Sequence, residues 1–245
     1  MMRKVALVTG SSRGIGRAVA MRLAADGYAV AVHCVHNVDK AEDVCAQIVA
    51  DGGVAKAYCC DIADGNAVAA MMDAIGRDLG SVSVLVNNAG IAQQQLFTAT
   101  TDDDWKRMMG VHVDGAFYCS RAVLPTMISQ HSGCIVNISS MWGQTGGSCE
   151  VPYSTAKAAL IGMTKALAKE VGPAGIRVNC VAPGVIRTDM LSTLDESTLD
   201  ELAEEAPLCR LGTPEDVANA VAFLVSEQAG FITGQVIAPN GGIVI

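Results

Sequence analysis

The first thirty residues constrain the fold most strongly. A short apolar run, Val5–Thr9, leads into the glycine-rich segment Gly10–Gly16, and a helical pattern over Arg17–Asp26 follows and ends at Gly27. A continuous apolar run of this length is typical of a strand buried on both faces of a parallel sheet. The first glycine permits a tight turn, and the two later glycines let a phosphate and a helix start approach the backbone closely. The segment therefore predicts a strand, a phosphate-binding turn and a helix.

The alternation of strand and helix continues along the rest of the chain. Short apolar runs predict six further strands, at residues 28–34, 54–60, 82–86, 134–138, 176–181 and 234–238. Helical patterns lie between them, at residues 39–50, 64–79, 101–128 and 152–171, with a last helix capped by Thr213–Asp216. This alternation predicts a doubly wound α/β fold, in which a seven-stranded parallel sheet carries helices on both faces.

The chain length bears on domain organisation. The 245 residues fit one large α/β domain, 1–245, that combines dinucleotide binding and catalysis. Residues 188–206 carry leucines and acids without strong helix breakers, and we expect them to form a mobile lid over the substrate.

Composition disfavours several classes of function. The formal net charge of −8 argues against a broad surface for nucleic acid or for an anionic membrane. Nine cysteines show no paired CxxC spacing, and we see neither a leader peptide nor an apolar run of membrane length. We therefore expect reduced thiols and a cytoplasmic protein. The four histidines are dispersed, His33 and His36 being the closest pair, so we expect strand-end residues here and no metal site.

Tyr153 and Lys157 carry the strongest chemical signal. On a helix, a spacing of four places both side chains on one face, one turn apart. A free phenol, with a pKa near ~10, exchanges protons poorly at neutral pH, and we expect the neighbouring ammonium to lower that pKa. Ser140 follows the predicted strand 134–138, and its hydroxyl can hold a carbonyl or alcohol oxygen while the tyrosine exchanges a proton with it. A solvated Tyr–Lys pair is the alternative, which the order of the other motifs disfavours.

The end of the second strand indicates the cofactor. An acid there would bind the ribose 2′-hydroxyl of NAD, but Cys34–Asn37 contains none. Arg13 in the glycine turn and His36 after the strand supply cations for a 2′-phosphate, which favours NADP(H). A solvated loop residue is the alternative for Arg13. Asp61, after the third strand, either accepts a hydrogen bond from the adenine amine or caps its own turn.

The motifs taken together resemble the short-chain dehydrogenase/reductase family over nearly the whole chain. The matching residues are Thr9–Gly16, Asn87–Gly90, Ser140, Tyr153 with Lys157, and Pro183–Gly184. The resemblance implies a Rossmann-type sheet and a nicotinamide cofactor, whose own chemistry is hydride transfer. It implies that Tyr153 is the general acid of reduction, that Lys157 lowers its pKa and contacts the nicotinamide ribose, and that Ser140 orients the carbonyl oxygen.

The resemblance, together with the residues discussed above, also indicates the cofactor contacts. They lie in the glycine turn, after the second, third, fourth and sixth strands, and in the catalytic pair. The predicted residues are Gly10, Ser12, Arg13, Gly14, Ile15, Gly16, His36, Asp61, Ile62, Asn88, Ala89, Gly90, Tyr153, Lys157, Pro183, Gly184, Ile186 and Thr188.

One position departs from the family pattern. Many members carry an asparagine seven residues after the tryptophan of the long helix, where it bends the helix and holds a water linked to the lysine. Counted from Trp105, that position is His112. Because imidazole also donates and accepts hydrogen bonds, we expect His112 to act in a modified proton relay. A structural histidine and a slower enzyme are the alternatives.

Within the family, the pattern is most similar to reductases of 3-oxoacyl groups carried by acyl carrier protein or coenzyme A. The predicted function is NADPH-dependent reduction of such a thioester to its 3-hydroxyacyl form. The alternatives are the same chemistry on a sugar, polyol, steroid or small cyclic ketone, and a non-catalytic NADP-binding scaffold.

The resemblance also implies partners. An acidic carrier protein would be repelled by the net charge unless basic side chains cluster, and the candidates are Arg107, Arg121, Lys165, Lys169 and Arg177. The family usually pairs through the two long helices and often forms tetramers, so a homotetramer, or a homodimer, is expected.

Overall fold

The structure is a computed structural model that describes residues 3–191 and 195–245. Within these ranges one sheet contains seven strands, in the order β3-β2-β1-β4-β5-β6-β7, and every neighbouring pair is parallel. The strands are β1 (Val5–Val8), β2 (Ala29–Cys34), β3 (Val54–Cys59), β4 (Val82–Asn87), β5 (Gly133–Ile138), β6 (Ile176–Val181) and β7 (Val236–Ile237).

Nine α-helices occur in the described ranges. They are α1 (Gly14–Ala25), α2 (Val38–Ala50), α3 (Gly65–Asp78), α4 (Asp102–Met109), α5 (Gly115–Gln130), α6 (Trp142–Thr145), α7 (Val151–Val171), α8 (Glu196–Glu204) and α9 (Pro214–Val225). Buried side chains of α1, α2 and α9 pack on one face of the sheet, and those of α3, α5 and α7 pack on the other. The predicted fold class is therefore confirmed.

Burial explains why the strands read as continuous apolar runs. Every residue of β1 and β2 is buried, because helices cover both faces of the central sheet. Strand β3 lies at the edge, and most of its residues are exposed or half-buried. The carboxyl ends of all these strands lie on the same edge of the sheet, which is where the predicted motifs must meet.

The helix boundaries follow local chemistry. Thr101 and Asp104 form a capping box at the start of α4, and Thr213 and Asp216 form another at the start of α9, as the sequence predicts. The predicted helix 101–128 is divided, however. A π-helical segment, Gly110–Asp114, separates α4 from α5 and contains His112.

Two further features differ from, or add to, the prediction. The short helix α6 has no counterpart in the sequence analysis, and a Cβ atom at its Gly143 would lie 2.5 Å from Ser139 Oγ and 2.8 Å from the carbonyl carbon of Lys157. In the predicted lid 188–206, a 3₁₀ turn (Asp189–Leu191) precedes α8, whose Leu199 is buried. Residues 192–194 of the lid lie outside the described residues, and its mobility stays a prediction.

A buried row of polar side chains joins the centre of the sheet to two helices. Asn87 Nδ2 donates to Ser120 Oγ at 3.1 Å and to Asn137 Oδ1 at 2.8 Å. Asn137 Nδ2 donates to Thr164 Oγ1 at 2.9 Å, and that hydroxyl donates to the Leu160 carbonyl at 2.7 Å. The row connects α5, β4, β5 and α7, so it fixes the helix of Tyr153 and Lys157 against the sheet.

Replacing the middle of this row should destabilise the protein. In Asn137→Leu the amide of Asn87 and the hydroxyl of Thr164 both lose a buried partner, so we expect the free energy of unfolding to fall by about 1–3 kcal/mol. Urea unfolding measures the change, with the exposed Ser129→Ala as control. An unchanged urea midpoint in Asn137→Leu would show that the row contributes no net stability.

Candidate active site

The turn after β1 and the loop after β4 are in direct backbone contact. Gly10 has a φ of +64°, and a Cβ atom there would lie 2.8 Å from the Cα of Ala89. A Cβ atom at Gly16 would overlap the Gly10 carbonyl oxygen and lie 2.5 Å from Asn88 Nδ2. Only glycine avoids these clashes, so both glycines are needed for the turn and the loop to approach each other.

Asn88 holds the same contact with hydrogen bonds. Its Nδ2 donates to the Thr9 carbonyl at 2.9 Å and to the Gly10 carbonyl at 3.1 Å. The backbone N–H groups of Asn88 and Ala89 both donate to Thr9 Oγ1 at 3.0 Å. These bonds occupy the carbonyls of Thr9 and Gly10, so they hold the turn against the loop after β4.

His33 supports the turn from beneath, a role that the sequence analysis missed. The ring is buried on β2; its Nδ1 accepts a hydrogen bond from the Gly10 N–H at 3.0 Å, and its Nε2 lies 3.0 Å from the Cys60 carbonyl. With Nδ1 accepting, Nε2 carries the proton and donates. Burial lowers the pKa of His33, which keeps the ring neutral. A histidine within a wholly buried strand must find polar partners, and that is the signal that could have revealed it.

The start of α1 fits a dinucleotide phosphate. The helix begins at Gly14, and within the described residues Arg13 at its N-cap makes no side-chain capping bond to the first turn. The first N–H groups of a helix have no partner inside it, and together with the helix dipole they favour an anion. The glycine turn therefore provides a cradle for a pyrophosphate group.

The predicted 2′-phosphate residues lie apart from the catalytic groups. Arg13 is exposed, and its guanidinium lies 3.8 Å from the Asp189 carboxylate in the loop after β6. His36 is exposed just beyond β2. Asp61 Oδ1 accepts a hydrogen bond from the Ala63 N–H at 2.9 Å, so it caps its own turn. Ile62 is buried in the core, where it contacts Gly115.

The remaining predicted cofactor residues lie in the glycine turn and in the loop after β6. Ser12 is buried, and Ile15 packs against the core beneath α1. After β6, the Pro183 carbonyl accepts a hydrogen bond from the Met141 N–H at 2.9 Å, and Gly184 lies against Asn240. Further along this loop, Ile186 is buried and Thr188 lies beside Gly14.

Ser140, Tyr153 and Lys157 come together where β5 ends beside α7. Ser140 hydrogen-bonds to the Tyr153 hydroxyl, and its Oγ also accepts from the Trp142 N–H at 3.2 Å. Lys157 is buried, with Nζ donating to the Ile138 carbonyl at 2.8 Å. Its Nζ lies 5.5 Å from the centre of the Tyr153 ring. The predicted trio is thus assembled in space.

The pKa of Tyr153 shifts upward in the protein as described, and not downward as the spacing to Lys157 predicts. Burial raises the pKa of Tyr153 to about 12, although the hydrogen bond with Ser140 opposes this rise. Burial also lowers the pKa of Lys157 to about 8. The reason is that removing both groups from water disfavours their charged forms. At neutral pH the phenol is therefore protonated, the form that donates a proton.

His112 lies against the catalytic tyrosine. Its ring centre is 5.5 Å from that of Tyr153, and the two rings are nearly perpendicular. Nε2 lies 3.0 Å from the Ile91 N–H, from which it can accept, and 2.8 Å from the Ile91 carbonyl, to which it can donate in the other tautomer. Nδ1 is buried and has no hydrogen-bond partner among the described residues. Burial, and then the charge of Lys157, lowers the pKa of His112 to about 3, so the ring is neutral. A Cβ atom at Gly90 would overlap this ring, which explains the glycine.

The fold and the site define a class. A doubly wound parallel sheet carries a phosphate-binding glycine turn and, at the same edge, a Ser–Tyr–Lys group that can move a proton at an oxygen. This is the construction of a Rossmann-type oxidoreductase.

Comparison with known proteins gives the family. The family model described as enoyl-(acyl carrier protein) reductase matches residues 10–244. The 3-oxoacyl-(acyl-carrier-protein) reductase of Staphylococcus epidermidis is 43% identical over 242 residues, which cover 99% of each chain. That of Aquifex aeolicus is 44% identical over 241 residues, covering 98% of this chain and 97% of the relative. The chain therefore belongs to the short-chain dehydrogenase/reductase family.

A solved structure agrees with this assignment. The crystal structure of 3-oxoacyl-(acyl-carrier protein) reductase from Brucella melitensis matches with a TM-score of 0.94 and 34% sequence identity. The match covers 100% of this chain and 92% of that one.

The described residues contain neither a membrane-spanning helix nor a cluster of metal-binding side chains. Among the helices in residues 3–191 and 195–245, none combines the length and apolar character that a membrane span requires. No group of three or more His, Cys, Asp or Glu side chains in the same ranges is arranged to hold a metal ion.

The two buried histidines predict a loss of stability in mild acid. The folded-state pKa values of His33 and His112 lie below the ordinary value, so the unfolded chain takes up protons at these sites first as the pH falls. The stability that these neutral histidines contribute is fully present above pH ~6.5. Below that pH the free energy of unfolding falls, by at most about 1.4 kcal/mol per pH unit for each histidine.

Urea unfolding between roughly pH 7.5 and 5 measures this slope. His112→Asn should flatten it, whereas His131→Asn, at an exposed αL position where asparagine is tolerated, serves as the control. The same slope in wild type and His112→Asn would contradict the assignment of a buried neutral imidazole.

Proposed function

We propose that the protein is an NADPH-dependent reductase that converts a 3-oxoacyl thioester into its 3-hydroxyacyl form. The observation that carries the proposal is the half-buried, protonated Tyr153, which interacts with Ser140 at the sheet edge that also carries the glycine turn. The relatives reported above are named for this activity.

Three residues of the chain have separate roles in the reaction. Ser140 holds the ketone oxygen, and Tyr153 gives its proton to that oxygen as the alcohol forms. When bound, NADPH supplies the hydride. Lys157, still largely protonated at neutral pH, stabilises the negative charge that remains on Tyr153 after proton transfer.

His112 acts as a positioning residue with one ring nitrogen that has no protein partner. Because its ring is neutral at neutral pH, it does not act as an imidazolium acid. Nε2 is engaged with the Ile91 backbone in either tautomer, and Nδ1 is left without a protein partner as an acceptor or a donor. A water bound at Nδ1 would extend the proton path beyond Lys157, which is the relay that we propose.

Removing the phenol hydroxyl tests the catalytic role of Tyr153. In Tyr153→Phe the proton donor is absent while the glycine turn is untouched, so we expect kcat to fall by about 10²–10⁴-fold. The dissociation constant for NADPH, followed by cofactor fluorescence, should stay within a small factor. Full activity in the variant would reject Tyr153 as the general acid; loss of activity also separates an enzyme from a non-catalytic scaffold.

Arg13 tests the choice of cofactor. A guanidinium that binds the 2′-phosphate helps NADPH and not NADH, so Arg13→Ala should raise KM for NADPH roughly tenfold and leave KM for NADH unchanged. Asp189→Ala removes the acid opposite Arg13 and provides the matched comparison. Equal changes for both cofactors would assign Arg13 to another role.

A panel of carbonyl compounds and thioesters, assayed with NADPH, tests which substrate the protein reduces. We expect oxidation of NADPH with acetoacetyl thioesters of coenzyme A and of acyl carrier protein. The family model that matches the chain is described as an enoyl-(acyl carrier protein) reductase, so crotonyl thioesters are the second candidate substrate. The Ser140–Tyr153 pair favours the ketone, because it aims two hydroxyls at a single oxygen. Sugars, polyols, steroids and small cyclic ketones complete the panel.

Carrier-protein docking and assembly belong to the same proposal. Arg177 is already engaged, since its guanidinium donates to the carbonyls of Leu224, Val225 and Ser226 at the end of α9. The other basic candidates must therefore provide the patch, and Arg121 lies over the Phe117 ring at the surface.

We further propose a cytoplasmic homotetramer; the exposed Phe117, Phe231 and Ile245 support burial of these surfaces in subunit contacts.

A further inference from the structure

Two cysteines lie side by side where β2 and β3 end. Cys34 and Cys59 are register partners on these two strands. The pair two residues earlier, Val32 and Ala57, lies on the same face of the sheet and belongs to the core beneath α1 and α2. Neighbouring strands lie about 4.8 Å apart, within the range of about 4.4–6.8 Å that Cα atoms span in disulfides. The proximity of Cys59 contributes, after burial, to raising the pKa of the Cys34 thiol.

The two thiols differ in access. Cys59 is exposed on the edge strand, whereas Cys34 is buried behind it. An oxidant in solution therefore reaches Cys59 first, and Cys34 is the nearest thiol to react next. Burial raises the pKa of Cys34 to about 11, which suits a resolving thiol better than an attacking one.

We infer that Cys34 and Cys59 are a reversible oxidation site, at which a peroxide forms an intrachain disulfide that weakens cofactor binding. The Cys59 thiolate attacks one peroxide oxygen, the O–O bond breaks, and the sulfur becomes a sulfenic acid as hydroxide leaves. Cys34 sulfur then attacks the sulfenic sulfur, the S–O bond breaks, and its proton leaves with the hydroxyl group as water. Two thiols are oxidised, one peroxide is reduced, and two waters form.

The effect on the cofactor rests on the proposed function and on one contact. Cys59 Sγ donates a hydrogen bond to the Val35 carbonyl at 3.4 Å. A disulfide has no thiol proton, so this bond is lost, and the segment that leads to His36 and α2 loses an anchor. Because His36 is proposed to meet the 2′-phosphate, oxidation should weaken NADPH binding.

The chain contains matched controls. Cys60 is adjacent in sequence but belongs to the opposite face, where its Sγ donates to Met71 Sδ at 3.6 Å. Cys209 is exposed far along the chain. Cys45 on α2 lies over the same face as Cys34 and is the competing partner. Cys59→Ser, Cys60→Ser and Cys209→Ser therefore separate the pair from general thiol oxidation.

The experiment treats the full-length protein with hydrogen peroxide and reads intact mass and peptide maps without reduction. We expect a loss of two hydrogens and a Cys34–Cys59 link in wild type, Cys60→Ser and Cys209→Ser, and neither in Cys59→Ser. The dissociation constant for NADPH, from cofactor fluorescence, should rise several-fold on oxidation and recover with dithiothreitol.

Absence of the link, or a Cys34–Cys45 link in its place, would overturn the oxidation site. A Cys34–Cys59 link with an unchanged dissociation constant would overturn its effect on the cofactor. The mass measurement detects the disulfide without any enzymatic turnover. If the protein with reduced thiols neither binds NADPH nor turns over, that result counts against the proposed function and leaves the test of the disulfide unaffected.

Discussion

The rest of the structure depends on the backbone contact between the turn after β1 and the loop after β4. Any side chain at position 10 or 16 would collide with Ala89, Asn88 or the turn itself. Because the sheet is parallel, this contact brings the start of α1 to the edge where β5 delivers Ser140. His33 and Asn88 hold the turn from two sides by hydrogen bonds. The place for a pyrophosphate and the place for proton transfer are consequently parts of one rigid edge.

Desolvation governs the chemistry at that edge. Lys157 and His112 are buried and Tyr153 is half-buried beside them. Loss of water moves each pKa toward the neutral form: upward for the phenol, downward for the ammonium and the imidazole. At neutral pH the phenol holds its proton, the imidazole is neutral and Lys157 remains the main charge. A negative charge forming on the tyrosine oxygen would therefore meet a poorly screened ammonium, which favours proton release during the reaction and not before it.

Much of this could be predicted from the sequence, because local signals and their order carry it. The apolar runs locate the strands within one or two residues, and the motif residues Ser140, Tyr153 and Lys157 come together as expected. The π-helical segment around His112 could not be predicted, since it depends on the fit of the ring against Gly90 and Ile91. The roles of His33 and of the Cys34–Cys59 pair depend on strand register, which cannot be predicted from the sequence around each residue. The sign of the Tyr153 pKa shift depends on burial, which the spacing to Lys157 does not reveal.

The most direct test of the account follows the hydride to its destination. NADPH carrying deuterium at the transferable C4 position is incubated with an acetoacetyl thioester, and the product is analysed by mass spectrometry and NMR. The account predicts a 3-hydroxyacyl thioester with one deuterium on C3, the carbon whose oxygen Tyr153 protonates. A product without label at C3, or label transferred only to an enoyl thioester while the ketone stays unreduced, would contradict it.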